Sequence, residues 1–278
     1  MEKITFINTW GYPDIHITRN FIKGIVKEKK DTNFSHFCFK DKDLIKDVCD
    51  CTVELNSDPL QGFRQVTKEN GYIVTHHQEL NDLSPNSDTK NRFDKTYELF
   101  QHIYKDFDLD LNDDKQHYLP TIDYSQFYNS LLFKVDDLAE DNEDYIIIDN
   151  SINEQNILQE PELNSVICSI AKDNPKKKIF ITNSFDNEID NIYDLKNVFP
   201  YNCNINEVSW FSKYCGTIIG ETKDYFSSCL VKDNIKNKNK RFINIIESED
   251  DILIPAEYFK SEYITIDKKD KDSIIEKI

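Results

Sequence analysis

Glycine is scarce, at 6 residues in 278, and the signatures that depend on it are missing. No G-x-G-x-x-G follows the first apolar run, and neither G-x-x-x-x-G-K-[ST] nor G-x-S-x-G occurs; H-E-x-x-H is absent too. Dehydrogenases with the usual dinucleotide fingerprint, P-loop NTPases, α/β-hydrolases and zincins are thereby set aside. No apolar run approaches the roughly 18 residues of a membrane span. The opening Met1-Glu2-Lys3-Ile4-Thr5-Phe6 enters an apolar strand without the basic-then-apolar layout of a signal peptide, so a soluble, cytoplasmic chain is expected. Positive charge is in deficit, 34 Lys plus Arg against 51 Asp plus Glu, for a formal charge of −17. Such a surface repels phosphate backbones and anionic lipid, which argues against nucleic acid as the main partner. The basic stretches Lys176 to Lys178 and Lys236 to Arg241 read as solvated loop charges flanking buried strands. Cysteine offers no framework: the 7 residues are odd in number, and Cys49 and Cys51 form C-x-C rather than a zinc-type C-x-x-C. Cys168, Cys215 and Cys229 lie in apolar stretches and are expected to pack as reduced thiols.

What is present suffices for packed cores. Hydrophobic residues make up 38%, including 18 Phe and 14 Tyr, and at about 150 residues per domain the length suggests two domains. Ile4 to Trp10 reads as a strand ending in the breaker cluster Gly11-Tyr12-Pro13-Asp14. Ile15, Ile17, Phe21, Ile22, Ile25 and Val26 then recur at helical spacing, with Asp14 placed as the cap. Further strands are expected at 34–39, 51–55 and 72–75, and an amphipathic helix at 91–107. The acidic stretch from Asp106 to Lys115 and the extended Leu119 to Tyr124 read as the connection between domains. Beyond it the pattern restarts, with strands at 145–148, 178–182, 191–195, 217–219 and 242–246 and helices at 162–172, 205–214 and 225–231. Near-continuously apolar strands alternating with helices imply parallel sheets covered on both faces. The expected fold class is α/β: two Rossmann-like domains in tandem, 1–125 and 126–278, with a cleft between them. The last helix is a candidate to return to the first domain.

Three loops carry candidate chemistry. Ligands of doubly wound sheets sit beyond the carboxyl ends of strands. The segment Asn8 to Asp14 follows the first strand, and Asp14 there is a candidate general base as well as a helix cap. The segment Ile218 to Phe226 is a second strand–loop–helix, in which Gly220 permits close approach of a ligand, amides at the helix start suit an anion, and Lys223 adds charge. An ordinary turn capped by Thr222 or Asp224 is the plainer alternative. His76 and His77 follow the run at 72–75; neighbours on a strand face opposite ways, so they do not share a metal, and one can contact substrate.

The stretch Asn206-Glu207-Val208-Ser209-Trp210-Phe211-Ser212-Lys213-Tyr214-Cys215, followed by Gly216-Thr217-Ile218-Ile219-Gly220, resembles the segment N-E-[ILV]-S-x-[LF]-S-x-x-C-D-x-[IV]-[IV]-G of GT-B-type glycosyltransferases related to bacterial polysaccharide and heptosyl-transferring enzymes. Tyr145 to Ser151 with Gln155, Lys178 to Asn183, Ile7 to Gly11 and Tyr118 to Ser125 are similar to other strands and the connector of that family. The resemblance implies a C-terminal domain that holds a nucleotide-sugar, an N-terminal domain that takes a glycan or other hydroxyl acceptor, and no metal requirement. The resemblance carries Gly220 over as the family's loop glycine; on the transferase reading Asp14 is the candidate base, Asn150, Ser151, Asn183, Gly220, Thr222 and Lys223 are the donor contacts, and Trp10, His76 and His77 stand on the acceptor side. This chain departs from the family after Gly220, where Glu221-Thr222-Lys223-Asp224-Tyr225 replace a small turn ending in Gly-Pro. The departure leaves a catalytically inactive binding protein on the same scaffold as an alternative, beside a nucleotide- or sugar-processing enzyme of another two-domain α/β family. The D-x-D at Asp108 to Asp110, a pattern some glycosyltransferases use for metal, lies in the acidic connector and reads as a solvated charge run.

Overall fold

The computed structural model describes residues 3–8, 11–38, 45–49, 51–54, 71–73, 91–127, 142–151, 160–199 and 204–277. The chain divides into two compact units, Met1–Gln126 and Phe127–Ile278.

In the first unit, strands β1 (Lys3–Asn8), β2 (Asn33–Cys38), β3 (Cys51–Glu54) and β4 (Gly71–Ile73) form one sheet in the order β3-β2-β1-β4. All its pairings are parallel, as the crossover through helix α1 (Tyr12–Glu28) from β1 to β2 requires. Helix α1 begins earlier than its apolar spacing suggests. Its N-cap is Gly11, without a side-chain bond, and Pro13 stands in the first turn, where its missing N–H has no helical partner to lose. Asp14 is therefore inside the first turn and is not the cap expected of it. The next described helix, α2 (Arg92–Asp106), is capped by Asn91, whose Oδ1 accepts from Asp94 N at 2.8 Å.

Aromatic rings lock α1 to α2. Phe21 stacks on Tyr118 at 4.5 Å and on Phe100 at 4.7 Å between ring centroids, contacts worth about 0.5–1.5 kcal/mol each beyond area burial. The segment after α2 is tied to the same helix: Asn20 Nδ2 donates to the Leu119 carbonyl at 2.5 Å, and Thr121 Oγ1 donates to Asn20 Oδ1 at 2.8 Å. A buried ion pair adds a third tie, Arg19 Nη1 to Asp47 Oδ1 at 2.5 Å, while Asp47 Oδ2 accepts from Asp123 N at 3.1 Å.

The second unit contains β5 (Asn142–Ile148), α3 (Glu160–Asp173), β6 (Lys178–Ile181), β7 (Ile192–Asp194), α4 (Leu195–Val198), α5 (Ile205–Phe211), β8 (Cys215–Glu221), α6 (Asp224–Ser228), α7 (Lys232–Lys236), β9 (Arg241–Ile246), β10 (Glu262–Asp267) and α8 (Lys271–Glu276). Its six strands are parallel in the order β10-β9-β8-β5-β6-β7. Ile146, Ile148, Ile179, Ile181, Ile219, Ile243 and Ile245 from the strands pack on Ile167 and Ile170 of α3. Their β-branched chains suit the pleated sheet. The tail is part of this unit. β10 pairs along β9, and Arg241 Nη1 donates to the Lys277 carbonyl at 2.9 Å.

The family-like stretch at 206–220 is a folding device. Glu207 closes a capping box with Asn204: Glu207 N donates to Asn204 Oδ1 at 3.0 Å, and Asn204 N donates to Glu207 Oε2 at 2.8 Å. Ser209 Oγ donates to the Ser228 carbonyl at 2.5 Å, and Asn234 Nδ2 donates to Ser212 Oγ at 2.7 Å. These polar groups fasten α5 to the helices that follow β8. Cys49, Cys168, Cys215 and Cys229 are free thiols, and burial raises the Cys229 thiol to about 12, so it packs rather than reacts.

One glycine reports on the α1–α2 contact. A Cβ on Gly24 would stand 2.1 Å from the Tyr104 hydroxyl, which is itself engaged in donating to the Phe21 carbonyl at 2.9 Å. Gly24→Ala is expected to lower stability by about 1–3 kcal/mol through overpacking, measured by urea denaturation; an unchanged midpoint would contradict this packing.

Candidate active site

In the first unit the candidate site is built where β1 hands over to α1. Asn8, the last residue of β1, is buried, and Asp14 is 3% exposed. Arg92 opens α2 and brings its Nη1 to 3.6 Å from Asp14 Oδ2. Burial raises the Asp14 carboxyl from 3.8 to about 6; the Arg92 charge and a backbone hydrogen bond pull the other way and offset only part of it. The result is a carboxylate that ionises near neutrality and holds a proton more strongly than an ordinary aspartate. The same unit buries other polar groups, with Tyr12 stacked on His16 at 5.5 Å between ring centroids. His36 of β2 is fully buried, with neither ring nitrogen hydrogen-bonded among the described residues. Burial, helped by the Arg19 charge, lowers it to about 3 and keeps it neutral. Trp10, His76 and His77, expected on the acceptor side, lie outside the described residues.

In the second unit the carboxyl ends of β5, β6 and β8 meet around Asp149. Its backbone N–H donates to the Ile219 carbonyl at 2.8 Å. Its Oδ1 accepts from Thr182 Oγ1 at 3.0 Å and Ser151 N at 3.1 Å, and its Oδ2 from Phe226 N at 2.9 Å. Asn150 clips the neighbouring strand end. Its Oδ1 accepts from Asn183 N at 2.8 Å, and its Nδ2 donates to the Asn183 carbonyl at 2.7 Å. Thr222 and Asn244 are joined by a hydrogen bond of 2.8 Å from Asn244 Nδ2, which also donates to the Tyr263 hydroxyl at 2.9 Å. Lys223 Nζ is paired with Glu221 Oε2, and the lysine side chain is 20% exposed.

These contacts revise several expected roles. Gly220 is explained by protein packing rather than by a ligand: a Cβ there would lie 2.8 Å from Asp149 Cβ and 2.9 Å from Phe226 Cβ. The amide of Phe226 at the start of α6 already has an anion, the Asp149 carboxylate. The N-cap of α6 is Lys223, without a side-chain bond, so neither Thr222 nor Asp224 is the cap. Asn150 is buried, and its side chain is committed to the backbone of Asn183. Ser151, Asn183, Thr222 and Lys223 remain half-buried at the same sheet edge.

Arg92, Asp149, Thr182 and Asn244 were not singled out by sequence. A cation in the first turn of a helix opposes the macrodipole, so Arg92 directly after the Asn91 cap was a signal that a carboxylate stands nearby. Asp149 carries a weaker signal, a carboxylate ending the apolar run 145–148. The D-x-D aspartates have a local explanation. Asp108 takes φ 50° just past α2, and Leu109 N donates to the Tyr104 carbonyl at 2.9 Å, a left-handed helix terminus. Among the described residues no three His, Cys, Asp or Glu side chains gather as metal ligands, and no helix is long and apolar enough to cross a membrane.

No family model matches the chain, and no curated protein matches it. Solved structures do. The E. coli heptosyltransferase WaaC, solved with ADP, superposes over 99% of this chain and 99% of its own, with a TM-score of 0.58 at 10% identity. A glycosyl transferase of family 9 from Veillonella parvula DSM 2008 covers 99% of this chain and 88% of its own, with a TM-score of 0.54 at 9% identity. The chain has the fold of GT-B-type glycosyltransferases, similar to that of the heptosyltransferases.

Burying a carboxylate costs stability, and the sign follows from proton counts. Between 3.8 and about 6 the native state holds more of the Asp14 proton than the unfolded chain does, so stability falls as pH rises through that window, by about 3 kcal/mol at most. Asp14→Asn is expected to remove this fall and to raise stability at pH 7 by about 1–3 kcal/mol. Urea titrations of both proteins from pH 4 to 7 measure it; parallel profiles would mean that Asp14 titrates as an ordinary carboxyl.

Proposed function

We propose that the chain is a glycosyltransferase, moving a sugar from a nucleotide-sugar to a hydroxyl on a glycan or other acceptor. The observation that carries this reading is Asp14: a buried carboxylate with a raised pKa, beside Arg92, in the first helical turn after the first strand. The GT-B fold supports it, since WaaC was solved with ADP on the same architecture. Fold alone does not fix function, so the chemistry must come from these residues.

Asp14 takes the proton of the acceptor hydroxyl as the oxygen forms its bond to the anomeric carbon. A carboxylate of pKa about 6 is largely ionised at pH 7 and more basic than an exposed aspartate, which suits general base catalysis. The bond between the anomeric carbon and the diphosphate breaks, and the nucleoside diphosphate leaves with the electron pair. Lys223 exchanges Glu221 for the diphosphate, with the Thr222 hydroxyl, Ser151 and Asn183 beside it at the sheet edge; this neutralises the leaving charge and requires no metal.

Asp14→Asn is expected to lower turnover by about 10²–10⁴-fold while donor binding persists. A thermal-shift panel of UDP-, GDP-, ADP-, CMP- and dTDP-sugars measures the latter, because a ligand of the native state raises its melting temperature. Lys223→Ala is expected to abolish the shift given by the productive nucleotide. Silence across the panel would overturn the transfer reading in favour of a binding protein whose Lys223–Glu221 pair stays closed. Full turnover in Asp14→Asn would remove Asp14 from the chemistry.

A further inference from the structure

The two basic stretches that sequence assigns to solvated loops converge in the second unit. Lys177 precedes β6, and Lys238, Asn239, Lys240 and Arg241 lead into β9. Although β5 and β8 lie between those strands, both stretches line one cavity of about 360 Å3, with Gly216, Thr217 and Glu262. That volume falls in the range of small-molecule sites, about 300–1,000 Å3.

Four basic residues and one acidic residue line the cavity, in a chain whose formal charge is −17. Lys240 is 3% exposed, and its ammonium donates to the carbonyls of Ser212, Lys213 and Cys215 at 3.0, 2.7 and 2.8 Å. Its three donors are thereby used, and the ammonium is held in place beside the cavity. Arg241 is held by Glu262, at 2.6 Å from Nε, and by the Lys277 carbonyl. Its guanidinium is fixed before any ligand arrives, which lowers the entropic cost of binding. Lys177 is half-buried and Lys238 exposed at the rim of the cavity. Like charges gathered in a concavity repel one another and focus a positive field, and a multivalent anion relieves both effects.

We propose that this cavity is a binding site for a small phosphate-bearing anion. Multivalence favours phosphate or diphosphate over a single carboxylate. The overall negative charge disfavours extended polyanions such as nucleic acid, which would have to lie across the acidic surface. The site stands at the amino edge of β8, whereas Thr222 stands beyond its carboxyl edge. Five residues from Thr217 to Thr222, at about 3.3 Å per residue, separate them by about 16 Å. A guest here is therefore distinct from a donor at Lys223, and the inference holds whether or not the chain transfers sugar.

The test is calorimetric titration of inorganic pyrophosphate into the full-length Lys223→Ala variant, so that binding at the proposed donor edge is suppressed. Saturable binding is expected, weakened at least tenfold when Lys177→Glu and Lys238→Glu are added. Circular dichroism melting should show both variants folded with a cooperative transition, since Lys238 is exposed and Lys177 lies outside the buried core. Absence of saturable binding in the Lys223→Ala protein, or equal affinity with and without the two added glutamates, would overturn the proposal.

Discussion

Asp14 stands in the first turn of α1 with almost none of its surface open to water, and Arg92 is the cation brought to face it. Holding a carboxylate there requires a helix that starts at Gly11 and Tyr12 rather than at Asp14, so that the side chain is turned into the unit instead of spent as a cap. It also requires α2 to arrive with its first residue alongside, which the Phe21, Phe100 and Tyr118 stack and the Tyr104 hydroxyl accomplish. The aromatic packing of the first unit thus bears directly on the acidity of one residue. Stability given up to bury the carboxylate is recovered as basicity, the exchange expected where function and stability compete.

The second unit solves a different problem with another aspartate. Asp149 accepts from Thr182, Ser151 and Phe226 and thereby joins the ends of β5 and β6 to the start of α6. Gly220 has no side chain because Asp149 and Phe226 fill that space. Thr222, Asn244 and Tyr263 extend the polar edge across β9 and β10. The edge is preorganised by its own hydrogen bonds, and Lys223 is paired with Glu221 beside it.

Much of this was legible in the sequence, for identifiable reasons. Near-continuously apolar, isoleucine-rich runs announced buried parallel strands, and β5, β6, β8 and β9 lie where those runs stand. β10 was missed because Glu262-Tyr263-Ile264-Thr265-Ile266-Asp267 is an edge strand with a weaker apolar pattern. Asp14 was visible as a polar residue after the first strand, but its burial depends on α2, a partner about 80 residues away, and no local pattern encodes that. Asn150 and Gly220 looked like ligand contacts because small polar residues at strand ends suit both roles; only the geometry shows their atoms engaged with Asn183, Asp149 and Phe226. The most family-like residues, Asn206 to Gly220, proved to be fold-forming, which is why the likeness reaches the architecture before it reaches the chemistry.

The most direct measurement is the titration of the Asp14 carboxyl carbon by NMR in the intact chain, assigned by its loss in Asp14→Asn. The account predicts a midpoint near 6, set by burial against the Arg92 charge. A midpoint at or below about 4, the range of a solvated aspartate, would contradict it.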